Sequence, residues 1–266
     1  MTVNFTFKDR YGFNDLVDIV RILREPGGCP WDMEQTHQSI RENFLEETYE
    51  VIEAIDTNNR ELMQEELGDV LLQVLMHSDM ARTDGWFTID DVANDICKKL
   101  IVRHPHVFGD VSVSSTGEVL KNWDDIKRRT KKQRTQSEAM AAIPATYPAL
   151  MKAQKVQEKA RKAGFDWRDA DGAFDKIAEE SAELREALST GDRAKIEDEL
   201  GDLFFSVVNT ARFCGCDAET ALEKATQKFM KRFTLTEKLA NSKGIDMKTA
   251  SIEVLDELWE EAKKEN

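Results

Sequence analysis

Apolar residues recur at helical spacing along most of the chain. Leu16, Ile19, Val20 and Leu23 fall three or four apart and predict a helix over residues 13–24. The same rule predicts helices over 39–55, 60–83, 89–102, 118–132, 150–162, 220–239 and 253–264. Leu67, Val70, Leu71, Val74 and Leu75 are the expected core stripe of the third helix, and Phe204, Phe205, Val207 and Val208 that of its later counterpart. Pro26, Gly27 and Gly28 end the first helix. Residues 1–12 carry Phe5, Phe7 and Tyr11 without a clear period. His104, Pro105 and His106 follow the fourth helix and read as a capped loop, because no further ligand stands at metal-site spacing. No stretch alternates as a strand does, and only five prolines interrupt the chain, so the expected fold is all-α.

The polar positions hold a second pattern, and it occurs twice. Glu46-Glu47-Thr48-Tyr49-Glu50 followed by Glu65-Glu66-Leu67-Gly68-Asp69 recurs 133 residues later as Glu179-Glu180-Ser181-Ala182-Glu183 and Asp198-Glu199-Leu200-Gly201-Asp202. Acids make up 51 of 266 residues. Five chosen positions would therefore match by chance about once in several thousand trials. Residues three or four apart share a helix face. A helical hairpin turning at Asn58 sets Glu47 opposite Asp69 and Glu50 opposite Glu66. One turning at Gly191 sets Glu180 opposite Asp202 and Glu183 opposite Glu199. Asn58 and Gly191 lie within Thr57-Asn58-Asn59 and Thr190-Gly191-Asp192, the residue types that helix–helix turns use.

Four carboxylates then meet between helix axes about 8–10 Å apart. Two like charges about 4 Å apart repel by roughly 4 kcal/mol at an effective dielectric near 20, so such a set needs a cation or must hold protons. A lone Glu-x-x-Glu would read as a solvated helix face; the duplicated, mirrored set reads as metal ligands. All-oxygen donors favour a hard ion, and Mg²⁺ shared with substrate phosphates fits best, with Mn²⁺ as a substitute. Lys228 and Arg232 stand four apart on one helix, as do Lys99 and Arg103. Carboxylates, Mg²⁺ and such cations together suit a polyphosphate. Lys228 and Arg232 either hold phosphates or pair with nearby acids; Trp167 and Trp259 either pack in the core or stack on a base. There is no Walker A loop, and no Glu-x-x-His on the acid helices that would suggest a di-iron bundle.

Composition narrows the field. A chain with 41% hydrophobic and 33% charged residues is globular, and its length suits two domains: 1–132, a linker over 133–148, and 149–266. The net charge of −14 argues against a general nucleic-acid or anionic-membrane binder. The basic run from Lys127 to Arg134 has no interleaved aromatics and reads as a solvated helix end leading into the linker. Cys29, Cys97, Cys214 and Cys216 form no metal or Cys-x-x-Cys motif. With no signal peptide and no long apolar run, reduced thiols in a cytoplasm are expected.

Glu-Glu-x-x-Glu with Glu-x-x-Asp, Cys-Pro-Trp-Asp, Leu-Gly-Asp (followed by Val-Leu in the first half and Leu-Phe in the second) and Gly-Phe-Asp-Trp together resemble the tandem-domain MazG family of nucleoside triphosphate pyrophosphohydrolases. The resemblance covers nearly the whole chain. It implies two helical domains of four-helix-bundle type, completed by homodimerisation, and Mg²⁺-dependent hydrolysis of NTP or dNTP to monophosphate and pyrophosphate. Carried across, the metal set is Glu180, Glu183, Glu199 and Asp202, with Glu179 orienting or deprotonating the attacking water. Lys228 and Arg232 would hold phosphates, and Trp259 would lie near the nucleotide. The first half keeps its own acids, Glu46, Glu47, Glu50, Glu66 and Asp69. The family usually credits hydrolysis to the second half, and that half is the expected catalytic one. Two other readings stay open: a non-catalytic acidic dimer that binds a regulatory partner, and a pyrophosphohydrolase of a nucleotide-like metabolite.

Overall fold

Local chemistry fixes where the helices start and stop. Asn58 adopts a left-handed φ of 51° and Gly191 one of 68°, so both acid hairpins turn at the residues that their symmetry indicates. Immediately after each turn an acceptor caps the next helix: the Asn59 side chain takes the Leu62 N–H at 3.2 Å, and Asp192 takes the Ala194 N–H at 3.0 Å. Gly28 has a different reason for being glycine. A Cβ there would lie 2.2 Å from the Ile22 carbonyl oxygen, where the chain folds back over the end of the first helix.

A computed structural model describes residues 5–130 and 135–264, and the described residues form thirteen helices and no strand. The chain divides into two compact units, Met1–Ile126 and Lys127–Asn266. The first carries α1 (Phe13–Arg24), α2 (Pro30–Glu34), α3 (Arg41–Asp56), α4 (Arg60–Thr83), α5 (Ile89–Arg103), α6 (Pro105–Phe108) and α7 (Thr116–Thr130), which runs across the division. The second carries α8 (Gln136–Ala141), α9 (Ala149–Lys162), α10 (Ala170–Thr190), α11 (Arg193–Phe213), α12 (Ala218–Ser242) and α13 (Ile252–Lys264). In each unit one long antiparallel pair dominates the packing, α3 with α4 and α10 with α11.

Three short helices, α2, α6 and α8, lie where the apolar pattern predicts none. Residues 105–108 form α6 instead of a capped loop, and His104 Nδ1 sits 2.7 Å from the Leu100 carbonyl, which gives that imidazole a local structural role. The stretch expected as a linker contains α8, which packs on α9. Residues 131–134, which end the basic run and begin that stretch, lie outside the described residues, as do residues 1–4 of the N-terminal segment.

The first unit's core is Val20, Ile40, Leu75, Met76 and Met80. The predicted stripes need correction. Leu67 is 52% exposed, and in the second unit Phe204, Phe205 and Val207 are all exposed while Val208 alone is buried. The second unit's other buried apolar residues are Leu258 and a series of alanines. Two helical runs, residues 91–102 of α5 and 221–230 of α12, are exposed at every position although they carry Val92, Ile96, Leu100, Leu222, Phe229 and Met230. These runs leave apolar surface uncovered, although α12 packs on α13, where Phe229 meets Trp259, and α5 packs on α4.

Candidate active site

The acid hairpins bring carboxylates together as the spacing requires. In the second unit Glu180, Glu199 and Asp202 each offer an oxygen, and these atoms lie within 4.8 Å of one another. In the first unit Glu47, Glu66 and Asp69 do the same. The fourth acid of each set stands beside its cluster. Glu50 is close enough to Glu47 and Glu66 to raise the pKa of both, as Glu180 is to raise that of Glu183. Such acid–acid contacts require a shared proton or a cation.

The electrostatics point the same way. Burial, with the nearby charges of Asp69 and Glu50, holds the Glu47 carboxyl above its ordinary pKa. Burial and Glu50 do so for Glu66, and burial and Glu180 for Glu183. Glu180 is 4% exposed, an environment that an acid tolerates only with compensation. It finds a cation in Lys176, whose ammonium lies 2.6 Å from Glu180 and 2.8 Å from Glu179 and is pushed to a higher pKa by both. The ammonium stands where positive charge is wanted. An all-carboxylate donor set drawn together against its own repulsion, with one buried acid in each unit, fits a hard divalent ion.

The second cluster opens onto a cavity of about 840 Å³. Glu180 and Asp202 line one part of it, with Lys176. Phe205, Ser206, Asn209 and Arg212, spaced along one face of α11, continue the wall, and α8 contributes Met140. Trp167 also lines the cavity and is 48% exposed, so it is not a core residue. Beside it Asp166 pairs with Arg212, whose Nε and Nη2 also donate to the Asn209 side-chain Oδ1 at 3.1 and 2.8 Å.

The remaining predicted residues are placed elsewhere. Glu179 lies outside the three-acid cluster, half-exposed and bound to Lys176. Lys228, Arg232 and Trp259 lie on α12 and α13 and are not among the residues lining the cavity. Trp259 meets the ring of Phe229, next to Lys228, at 5.1 Å. Sequence reasoning passed over Lys176, Asn209 and Arg212, and quoted Asp166 only within the Gly-Phe-Asp-Trp motif. Lys176 carried a usable signal, since it stands three and four residues before two of the acids. The Asp166–Arg212 pair spans 46 residues and carried none.

Comparison with known proteins agrees with this geometry. A domain described as the MazG nucleotide pyrophosphohydrolase domain matches residues 35–108 and 171–235, and each match holds one acid cluster. The chain is 49% identical over 251 residues to the nucleoside triphosphate pyrophosphohydrolase/pyrophosphatase MazG of Thermotoga maritima, covering 94% of this chain and 95% of that one. It is 42% identical over 255 residues to the nucleoside triphosphate pyrophosphohydrolase of Escherichia coli K12, covering 94% and 96%. A crystal structure of a mazG-related protein from Thermotoga maritima aligns with 44% of this chain and 99% of its own, at 27% identity and a TM-score of 0.38.

Proposed function

We propose, because this chain belongs to the MazG nucleotide pyrophosphohydrolase family, that its second unit hydrolyses nucleoside triphosphates to monophosphate and pyrophosphate with Mg²⁺. The observation that carries the reading is the convergence of Glu180, Glu199 and Asp202 at a cavity large enough for a nucleotide. These three, with Glu183 beside them, would hold the metal. When bound, Mg²⁺ supplies charge compensation and polarises phosphate oxygens. Glu179 takes the proton of the attacking water. The water oxygen then bonds to the α-phosphorus, the bond to the α,β-bridging oxygen breaks, and pyrophosphate leaves. Lys176, already beside Glu179 and Glu180, would face the phosphates once a metal compensates those acids. Lys228 and Arg232 serve the same substrate from α12.

The family implies a homodimer, and the exposed apolar runs of α5 and α12 favour one, since a second copy would complete each bundle. The reading also keeps residues 1–132 and 149–266 as two domains with the first in a supporting role. It places the protein in the cytoplasm, which suits its four free cysteines. No helix among the described residues is long and apolar enough to cross a membrane.

Mg²⁺-dependent pyrophosphate release from a panel of the eight common NTPs and dNTPs is the test, read by a phosphate assay with added inorganic pyrophosphatase. Glu180→Ala should abolish it, and Glu66→Ala should leave most of it. Wild-type rates in Glu180→Ala would show that the site is misassigned.

A further inference from the structure

We infer that the end of the second unit's cavity away from the acids receives the nucleobase, and that Gln157 reads a hydrogen-bond donor on the base. The inference rests on the pyrophosphohydrolase reading and names the part of the substrate it leaves unassigned. From Asp202 to Arg212 the cavity wall follows α11 for about 15 Å, at 1.5 Å per residue. With phosphates at the acid end, a base would lie at the other end, where Phe165 and Trp167 offer aromatic faces for stacking.

The polar groups at that end are nearly all committed. Arg212 is held by Asp166 on one side and by the Asn209 side-chain Oδ1 on the other. Gln157 is not, and it stands partway along the wall, against Phe205, which is one helical turn from Asp202. Its side-chain amide donates to the Phe205 carbonyl at 2.7 Å, which fixes which way round the amide sits. Its Oε1 is left buried without a hydrogen-bond partner, in a residue only 5% exposed that lines the cavity. A buried acceptor is rarely left unpaired unless something supplies the donor. Adenine, guanine, cytosine, uracil and thymine each carry an N–H on the edge facing away from the sugar; the ribose hydroxyls are the substrate's other donors, and the base-free substrate below separates the two. Asn209, whose Oδ1 is taken by Arg212, keeps its amide N–H groups for an acceptor on the same base.

The first unit also holds a buried glutamine with an unpaired Oε1, Gln73, but it stands on the α4 wall itself. The positions 133 residues before Ser206, Asn209 and Arg212 are Gln73, Met76 and Asp79, all buried. The wall that bounds a cavity in the second unit is built from bulkier and oppositely charged side chains in the first.

Two substrates separate base recognition from phosphate chemistry in the full-length protein: purine riboside 5′-triphosphate, whose base has no N–H donor, and ribose 5-triphosphate, which has no base. Wild type should prefer ATP to the purine analogue by about tenfold in kcat/KM, the value of one hydrogen bond to a buried acceptor. In Gln157→Met that preference should fall to within about twofold while turnover of ribose 5-triphosphate stays unchanged. A second variant, Ser206→Gln, copies the first unit and should raise KM for every NTP with ribose 5-triphosphate unaffected. An undiminished ATP preference in Gln157→Met, no preference in wild type, or a wild-type KM in Ser206→Gln each overturns the base site. If wild type releases no pyrophosphate from any nucleotide, the pyrophosphohydrolase reading has failed and the base site falls with it. If only Glu180→Ala is inactive and the base profile never changes, the reaction stands and this inference alone is wrong.

Discussion

Asp202→Asn should make the metal-free protein more stable and the metal-loaded protein relatively less so, because the two effects come from the same charge. Oxygens of Glu180, Glu199 and Asp202 lie within 4.8 Å of one another. At that distance and an effective dielectric near 20, each pair repels by about 3.5 kcal/mol. Asp202 is exposed, so water and salt reduce its two interactions to about 1 kcal/mol or less each. Lys176 already offsets part of the Glu180 charge, which places the expected gain near the low end, about 1 kcal/mol. For a unit of this size that is a rise of about 3 °C in Tm without metal. Asn is nearly isosteric with Asp and equally tolerated inside a helix, so little else changes. Mg²⁺ at a hundred times its Kd should stabilise wild type by about 2.7 kcal/mol and the variant hardly at all. Calorimetric melts in EDTA and in MgCl₂ read both numbers. A lower melting point for Asp202→Asn in EDTA, or an undiminished Mg²⁺ shift, would refute the view that these acids are held together for a cation.

Two further outcomes concern groups outside the cluster. Arg212→Met should cost the second unit about 2–3 kcal/mol, because it leaves Asp166, whose side chain is only 19% exposed, without its partner. Adding Asp166→Asn should recover most of that loss in a thermal melt. In the first unit, His77 and His37 meet through their Nδ1 atoms at 2.7 Å, and burial, with His37 beside it, holds His77 below its ordinary pKa of 6.5. The unfolded chain therefore binds the proton more readily than the folded one. Stability of this unit should be full above about pH 6.5 and decline as pH falls towards the lowered value, and His77→Gln should flatten that decline. Melts at pH 7.5 and 5.5 compare the two.

The acid clusters were legible in the sequence because everything needed was local: a spacing of three on each helix, a turn residue at each centre, and a second copy to confirm the register. The cavity was not legible. Its walls come from α8, α9, α10 and α11, and α8 lies in a stretch whose two prolines suggest a linker. Gln157 reads in the sequence as one polar residue among many on α9. It becomes informative only when its amide is seen fixed to Phe205 with the other end unpaired. The apolar pattern misled for a different reason. Phe204, Phe205 and Val207 have the spacing of a core stripe, and periodicity records that a face avoids water without recording what covers it. Within a single chain they remain exposed, and so do Leu222, Phe229 and Met230 on α12. Phe205 is exposed because it lines the cavity, and the homodimer proposed above would cover the rest. The largest fully buried side chains are the two valines Val20 and Val208, although the chain has 13 phenylalanines and five tryptophans. Large apolar side chains left outside so small a core leave each unit with exposed apolar surface, which the second copy proposed above would cover.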